Sequence, residues 1–265
     1  MVSFEERVAA RLDELRVPCV AITVRRGTAP ALAVDSYLAG HPYLPAGVGW
    51  PADANGPMAF VGQVNLAEVP AGSGWPPGGL LQWFVGTDDT YGLTFDETQG
   101  AVGFVARWYA EPAADAGSPP PDAPLPTGGY FPLELNGPTA LGFEAAPDLP
   151  GWDDLLEDVQ EERLWSELAE ANGESPDESR FAYEEYARRG SPGCKLGGFP
   201  TFTQSDPRGR DAYAPANTPA GRLLMQLDSG QTGGWGDAGV AQLFGDVRAV
   251  TAGDLTGVRY HWDCL

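Results

Sequence analysis

Apolar positions at helical spacing open this chain. Phe4, Val8, Leu12 and Leu15 share one face, while Glu5, Glu6, Arg11, Asp13 and Arg16 occupy the rest of the turn. Ser3 and Glu6 stand as a capping box that satisfies free amides at a helix start, and Pro18 ends the helix near residue 17. The period then shortens to two. Residues 19–25, 58–64, 79–85, 101–109, 130–135, 139–145, 222–228, 240–244 and 258–262 are short apolar or alternating runs that predict strands. The first and last of these runs are candidates to neighbour one another. Residues 26–57 carry Pro30, Pro42, Pro45, Pro51 and Pro57 and predict turns and loop. Helical spacing returns at 152–171, through Trp152, Leu155, Leu156, Val159, Leu164, Trp165 and Leu168, and continues over 176–189 after the Asn172-Gly173 break.

A phrase recurs within this pattern. Gln63-Val64-Asn65 followed by Gln82-Trp83-Phe84 is echoed by Gln226-Leu227-Asp228 followed by Gln242-Leu243-Phe244. Each copy follows a Gly/Pro turn, at Gly40-His41-Pro42 and Gly198-Phe199-Pro200, and the offsets run 158, 163, 160 and 160. Near-constant offset predicts two copies of one supersecondary unit. The architecture expected is α+β, a single unit of two β-rich halves related by internal duplication, with an N-terminal helix and an acidic helical insert. The halves span about residues 30–110 and 194–262, with a Pro-rich loop at 111–126 and the insert at about 148–190.

Charge changes the picture of partners. The chain has 37 acidic and 16 basic residues, a net charge of −21 that repels nucleic-acid phosphate and anionic lipid. From Asp148 to Glu185 fourteen acidic residues face two basic ones, Arg163 and Arg180, which suits a basic protein partner. No targeting signal is expected at the N-terminus, and no apolar run approaches the ~18 residues of a membrane span. Three cysteines, Cys19, Cys194 and Cys264, give no paired spacing, so a reduced, cytosolic protein is expected.

The motifs Trp50-Pro51, Gln63-Val64-Asn65-Leu66, residues 79–84, Gly197-Gly198-Phe199-Pro200, residues 224–229, residues 235–239 and the ending at 258–264 together resemble the YwqG-like family. That resemblance implies a bacterial domain of unknown function with an α+β fold containing a duplication. Members sometimes lie near polymorphic toxin systems, which implies immunity-type or partner-binding roles. Members commonly read Ser-Lys-Phe-Gly-Gly before the first Pro; here Ser36-Tyr37-Leu38-Ala39-Gly40-His41 stands there, without the lysine.

Candidate chemistry is sparse. On a strand, residues i and i+2 share a face, so Gln63 projects with Asn65 and Gln226 with Asp228. Two readings stand for these four: convergence on a cleft between the halves, or satisfaction of buried backbone at turns. Trp235-Gly236-Asp237, between Gly233-Gly234 and Ala238-Gly239, is either a ligand-stacking loop or a turn with a plugging indole. The candidate ligand-binding set is therefore Trp50, Gln63, Asn65, Gln226, Asp228, Trp235 and Asp237. Only His41 and His261 could supply imidazole, and no nucleophile elbow, phosphate loop or calcium loop is present, so no catalytic residue, cofactor or metal is assigned. The leading expectation is a non-enzymatic cytosolic binding protein, an immunity-type toxin partner; the alternative is a small-molecule or catalytic site between the halves. Trp235-Gly236-Asp237 reads as lacking a counterpart in the first copy, where Gly74-Trp75-Pro76 stands. Function is expected where the copies diverge.

Overall fold

A computed structural model describes residues 14–94, 103–113, 126, 128–151, 170, 191–210 and 212–265. In chain order its strands are β1 (Val17–Val24), β2 (Tyr37–Leu38), β3 (Ala52–Asp53), β4 (Gly56–Pro57), β5 (Ala59–Asn65), β6 (Leu80–Val85), β7 (Phe104–Tyr109), β8 (Thr139–Asp148), β9 (Lys195–Leu196), β10 (Leu223–Asp228), β11 (Val240–Phe244) and β12 (Arg259–Asp263). Helices α1 (Ser229–Thr232) and α2 (Val247–Thr251) follow β10 and β11.

Ten strands form one sheet in the order β12-β11-β10-β9-β1-β8-β2-β5-β6-β7, and β3 and β4 pair as a separate hairpin. Every pairing within the large sheet is antiparallel. The chain runs the same course twice. A long strand (β1, β8) precedes a two-residue strand (β2, β9), and a three-stranded meander follows (β5-β6-β7, β10-β11-β12). Each long strand lies beside the short strand of the other unit: β1 pairs with β9, β8 pairs with β2, and β1 and β8 pair at the centre. The two units are thus interlocked by exchange of their first strands.

Register shifts fall at the same place in both meanders, between Phe60 and Gly62 on β5 and between Leu223 and Met225 on β10. A bulge raises local twist and helps a sheet curl. The two ends of this sheet accordingly face one another. Trp83 of β6 and Phe104 of β7 pack on Tyr260 of β12 with ring centroids 5.5 and 5.8 Å apart, and Trp262 Nε1 donates to the Thr90 carbonyl at 2.6 Å. The result is a nearly closed barrel whose interior is filled by alternate residues, among them Val20, Ile22, Leu38, Val61, Leu81, Trp83, Leu227, Leu243 and Tyr260.

Several expectations need correction. The α+β class is overturned: the described chain is mainly β, with two α-helices of four and five residues. The halves are not two packed bodies but share one continuous sheet, because strand exchange joins them edge to edge. The N-terminal helix and the acidic helical insert fall almost wholly outside the described residues. The 130–135 run is not a strand. Its isolated contacts, Tyr130 N–H to the Thr87 carbonyl and Glu134 N–H to the Thr232 carbonyl, make no ladder, and Pro132 lacks a donor. Finally, β1 and β12 are three strands apart, since β9, β10 and β11 intervene.

Candidate functional site

The recurrent glutamines hold the loops that cover the outside of the barrel. Gln63 and Gln82 are cross-strand partners on β5 and β6. Gln63 Oε1 accepts from Tyr43 N–H at 2.9 Å, and Gln82 Nε2 donates to the Tyr43 carbonyl at 2.6 Å. In the second unit Gln226 Oε1 accepts from Thr201 N–H at 2.8 Å, and Gln242 Nε2 donates to the Thr201 carbonyl at 2.6 Å. One loop residue is therefore clasped through both of its backbone groups, twice. The other end of the glutamine also repeats: Gln63 Nε2 donates to the Ala33 and Asp35 carbonyls, Gln226 Nε2 to that of Gly193.

Asn65 and Asp228 sit at equivalent strand ends and cap the turns that follow. Asn65 Oδ1 accepts from Ala67 N–H and Asp228 Oδ1 from Gly230 N–H. The Asn65 N–H donates to Ser36 Oγ, and the Asp228 N–H to Cys194 Sγ. The two Gln-x-Asn/Asp pairs share no partner, and four strands separate β5 from β10. Trp50 lies half-buried against Phe84, its Nε1 donating to the Met58 carbonyl. Asp237 is exposed, and its carbonyl accepts from Leu265 N–H.

Trp235 belongs to the core. Its side chain is fully buried, stacked on Trp83 at 5.7 Å and packed on Tyr91 and Tyr260. Its counterpart in the first unit is Trp75. Gly74-Trp75 precedes β6 exactly as Gly234-Trp235 precedes β11, both tryptophans five residues before their strand, at the common offset of 160. The two indoles have different fates. Opposite Trp235 stands Trp83, whereas the corresponding β11 position holds the smaller Leu243. Trp75 packs against the core only in part.

Beside Trp75 opens a basin of about 750 Å³. Its walls come from the Ser73–Trp75 turn, the start of β1, the Gly197-Gly198-Phe199 turn, Leu223 and the first residues of α2. Gly197, at φ +68°, has open space where a Cβ would project. Gly198 has the opposite reason to lack a side chain, since its Cβ would strike Asp148 Oδ2. That carboxylate anchors the turn from below, accepting from Phe199 N–H at 2.8 Å and pairing with Lys195 Nζ at 2.8 Å, both side chains fully buried. Lys195 stands on β9 where Tyr37 stands on β2; Tyr37 instead donates its hydroxyl to the His41 carbonyl. The same turn is therefore held by an ion pair in one unit and a phenol in the other.

Three arginines line the basin, Arg208, Arg222 and Arg248, against one carboxylate, Asp246. Arg208 is nearly buried, paired with Asp206 and stacked over Phe202 and Phe244. None of the seven sequence-selected residues lines this basin. The sequence signal that leads there is the Gly-Trp shared by 74–75 and 234–235, which corrects the expectation that Trp235 lacks a counterpart in the first copy.

The sulfhydryl and imidazole candidates lie apart. Burial pushes the Cys194 thiol up to about 12 and the Cys19 thiol up to about 11, so both stay protonated at neutral pH. His261 sits on the outer face of β12 between the Phe202 and Tyr213 rings. Among the described residues no group of three or more His, Cys, Asp or Glu side chains is arranged to hold a metal ion. Nor is any described helix long and apolar enough to cross a membrane.

No curated protein matches the chain. A protein family does, over residues 36–264, from the residue before β2 to the penultimate residue. On that match, which takes in both meanders, the chain belongs to the family described as Domain of unknown function (DUF1963).

Proposed function

We propose that this is a non-enzymatic binding protein whose ligand occupies the basin beside Trp75. The observation that carries the reading is the unequal use of two equivalent tryptophans: Trp235 fills the core, while Trp75 is left half-exposed at an open cavity. A volume of about 750 Å³ suits a small molecule, as such sites run roughly 300–1,000 Å³ and combine apolar walls with few polar groups. The glutamine, asparagine and aspartate side chains that could otherwise serve chemistry are spent on loop and turn backbone. The test is saturation-transfer NMR with a mixed set of small acids, alcohols and amines, comparing the wild type with Ala216→Trp, which fills the basin. Signals lost in the variant support the reading, and signals equal in both proteins refute it.

A second reading is favoured by the net charge of −21 and the acidic run from Asp148 to Glu185: a cytosolic, immunity-type protein that neutralises a basic toxin-like partner. The resemblance to the YwqG-like set, some of whose members lie near toxin systems, supports it. Association with such a partner weakens steeply as salt is raised; an affinity unchanged by salt rejects the acidic run as the contact.

A further inference from the structure

Resting on the binding reading, the chemistry of the basin walls narrows the ligand. We infer that the basin takes a small organic anion, with an apolar or aromatic body against Trp75 and Phe199 and a carboxylate or phosphate between Arg222 and Arg248. The first ground is local charge. A chain with 37 acids and 16 bases places three arginines and one carboxylate around a single cavity. The second is how those charges are used. Arg208 is committed to Asp206. Asp246 is committed in part to its own helix, accepting from Arg248 N–H at 2.9 Å. The guanidinium groups of Arg222 and Arg248 are exposed and make no ion pair or hydrogen bond among the described residues. In so acidic a protein, two unpaired arginines at one rim are a place where an anion gains charge-assisted bonds without displacing an internal partner. Arginine's planar fork also matches the oxygens of carboxylate and phosphate.

The third ground is the body of the cavity. Trp75, Phe199, Leu223 and Val247 supply apolar wall, so a bare inorganic anion would leave most of it uncovered. Gly197, with no side chain and open space before it, lets a ligand approach backbone at the floor. The overall negative field opposes polyanions, so the ligand is small and carries its charge at one end.

Three probes separate the terms: phenyl phosphate, inorganic phosphate and benzyl alcohol, titrated into labelled protein while the Gly197 and Gly198 amides and the Trp75 indole are followed by NMR. Phenyl phosphate is expected to shift these signals saturably, and the other two to bind at least about tenfold more weakly. Arg222→Gln with Arg248→Gln should weaken phenyl phosphate by about tenfold or more and leave benzyl alcohol unchanged. Both residues are exposed, so the double variant keeps its fold. Benzyl alcohol binding as well as phenyl phosphate, or an undiminished double variant, overturns the anion while the basin reading stands. No shift at the basin with any probe overturns both.

Discussion

At the scale of residues, two glutamines carry a disproportionate share of order. Gln63 and Gln226 each tie a covering loop to the sheet through side-chain bonds at both ends of the amide. Gln226→Leu leaves the Thr201 N–H and the Gly193 carbonyl without their partner, and a buried polar group so stranded costs about 1–3 kcal/mol. Urea unfolding should report that loss. The two tryptophans make a sharper contrast. Trp235→Ala empties a site in contact with Trp83, Tyr91 and Tyr260 and should cost about 3–5 kcal/mol. Trp75→Ala, at the half-exposed counterpart, should cost clearly less in the same assay. The i, i+2 spacing of Gln63 with Asn65 was legible in the sequence, and so was the alternative that such groups serve turns. What the spacing could not say is that loops cover the outer face of these strands. That covering is why β6, β11 and β10 as far as Leu227 read as apolar runs interrupted by one glutamine each.

At the scale of elements, β9 and β12 offer tests of burial. Lys195→Met leaves Asp148 charged and buried without its partner, a change that costs about 3–5 kcal/mol when a buried pair is broken from one side. Adding Asp148→Asn removes the stranded charge and keeps an acceptor for Phe199 N–H, so the double variant should be the more stable of the two in urea. His261 gives β12 a dependence on pH. Burial holds its imidazole below the ordinary value, against the pull of Asp263 and Asp206 and with Arg210 acting in the same sense as burial. The unfolded chain therefore binds this proton more readily than the folded one. The histidine's contribution is complete above its unfolded value of about 6.5 and declines as pH falls below it toward the depressed folded value. The urea midpoint should drop between about pH 7.5 and pH 5.5, and His261→Gln should flatten that drop. Most strands were legible because apolar runs between Gly/Pro turns admit little else. Neighbour relations were not, since β1 and β12 share a pattern but pair with other strands.

At the scale of the molecule, the interlocked halves explain why a duplicated sequence does not give two domains. β1 finds its partners only in β8 and β9, and β2 depends on β8, so each half lacks a neighbour when separated. Fragments 1–127 and 128–265 should stay unfolded alone and recover the native circular dichroism spectrum on mixing. Independent folding of either would contradict the exchange. The repeated course of strands was visible as a constant offset, but exchange leaves no local mark, because β1 and β8 read as ordinary strands in either arrangement. The site was legible only in outline. The equivalence of Gly74-Trp75 with Gly234-Trp235 went unread in the sequence because the residues after each tryptophan differ; Trp235 is the buried member of the pair, and the open cavity lies beside Trp75.

The division of labour between a doubled scaffold and one unpaired indole is tested most directly by urea unfolding with and without phenyl phosphate. A bound ligand raises the midpoint in proportion to its affinity for the folded state. Gln226→Leu should lower the midpoint without ligand and keep the ligand-induced rise, while Trp75→Ala should leave the midpoint closer to that of the wild type and lose the rise. A rise that survives Trp75→Ala but vanishes with Gln226→Leu would place binding in the repeated phrase and contradict this account.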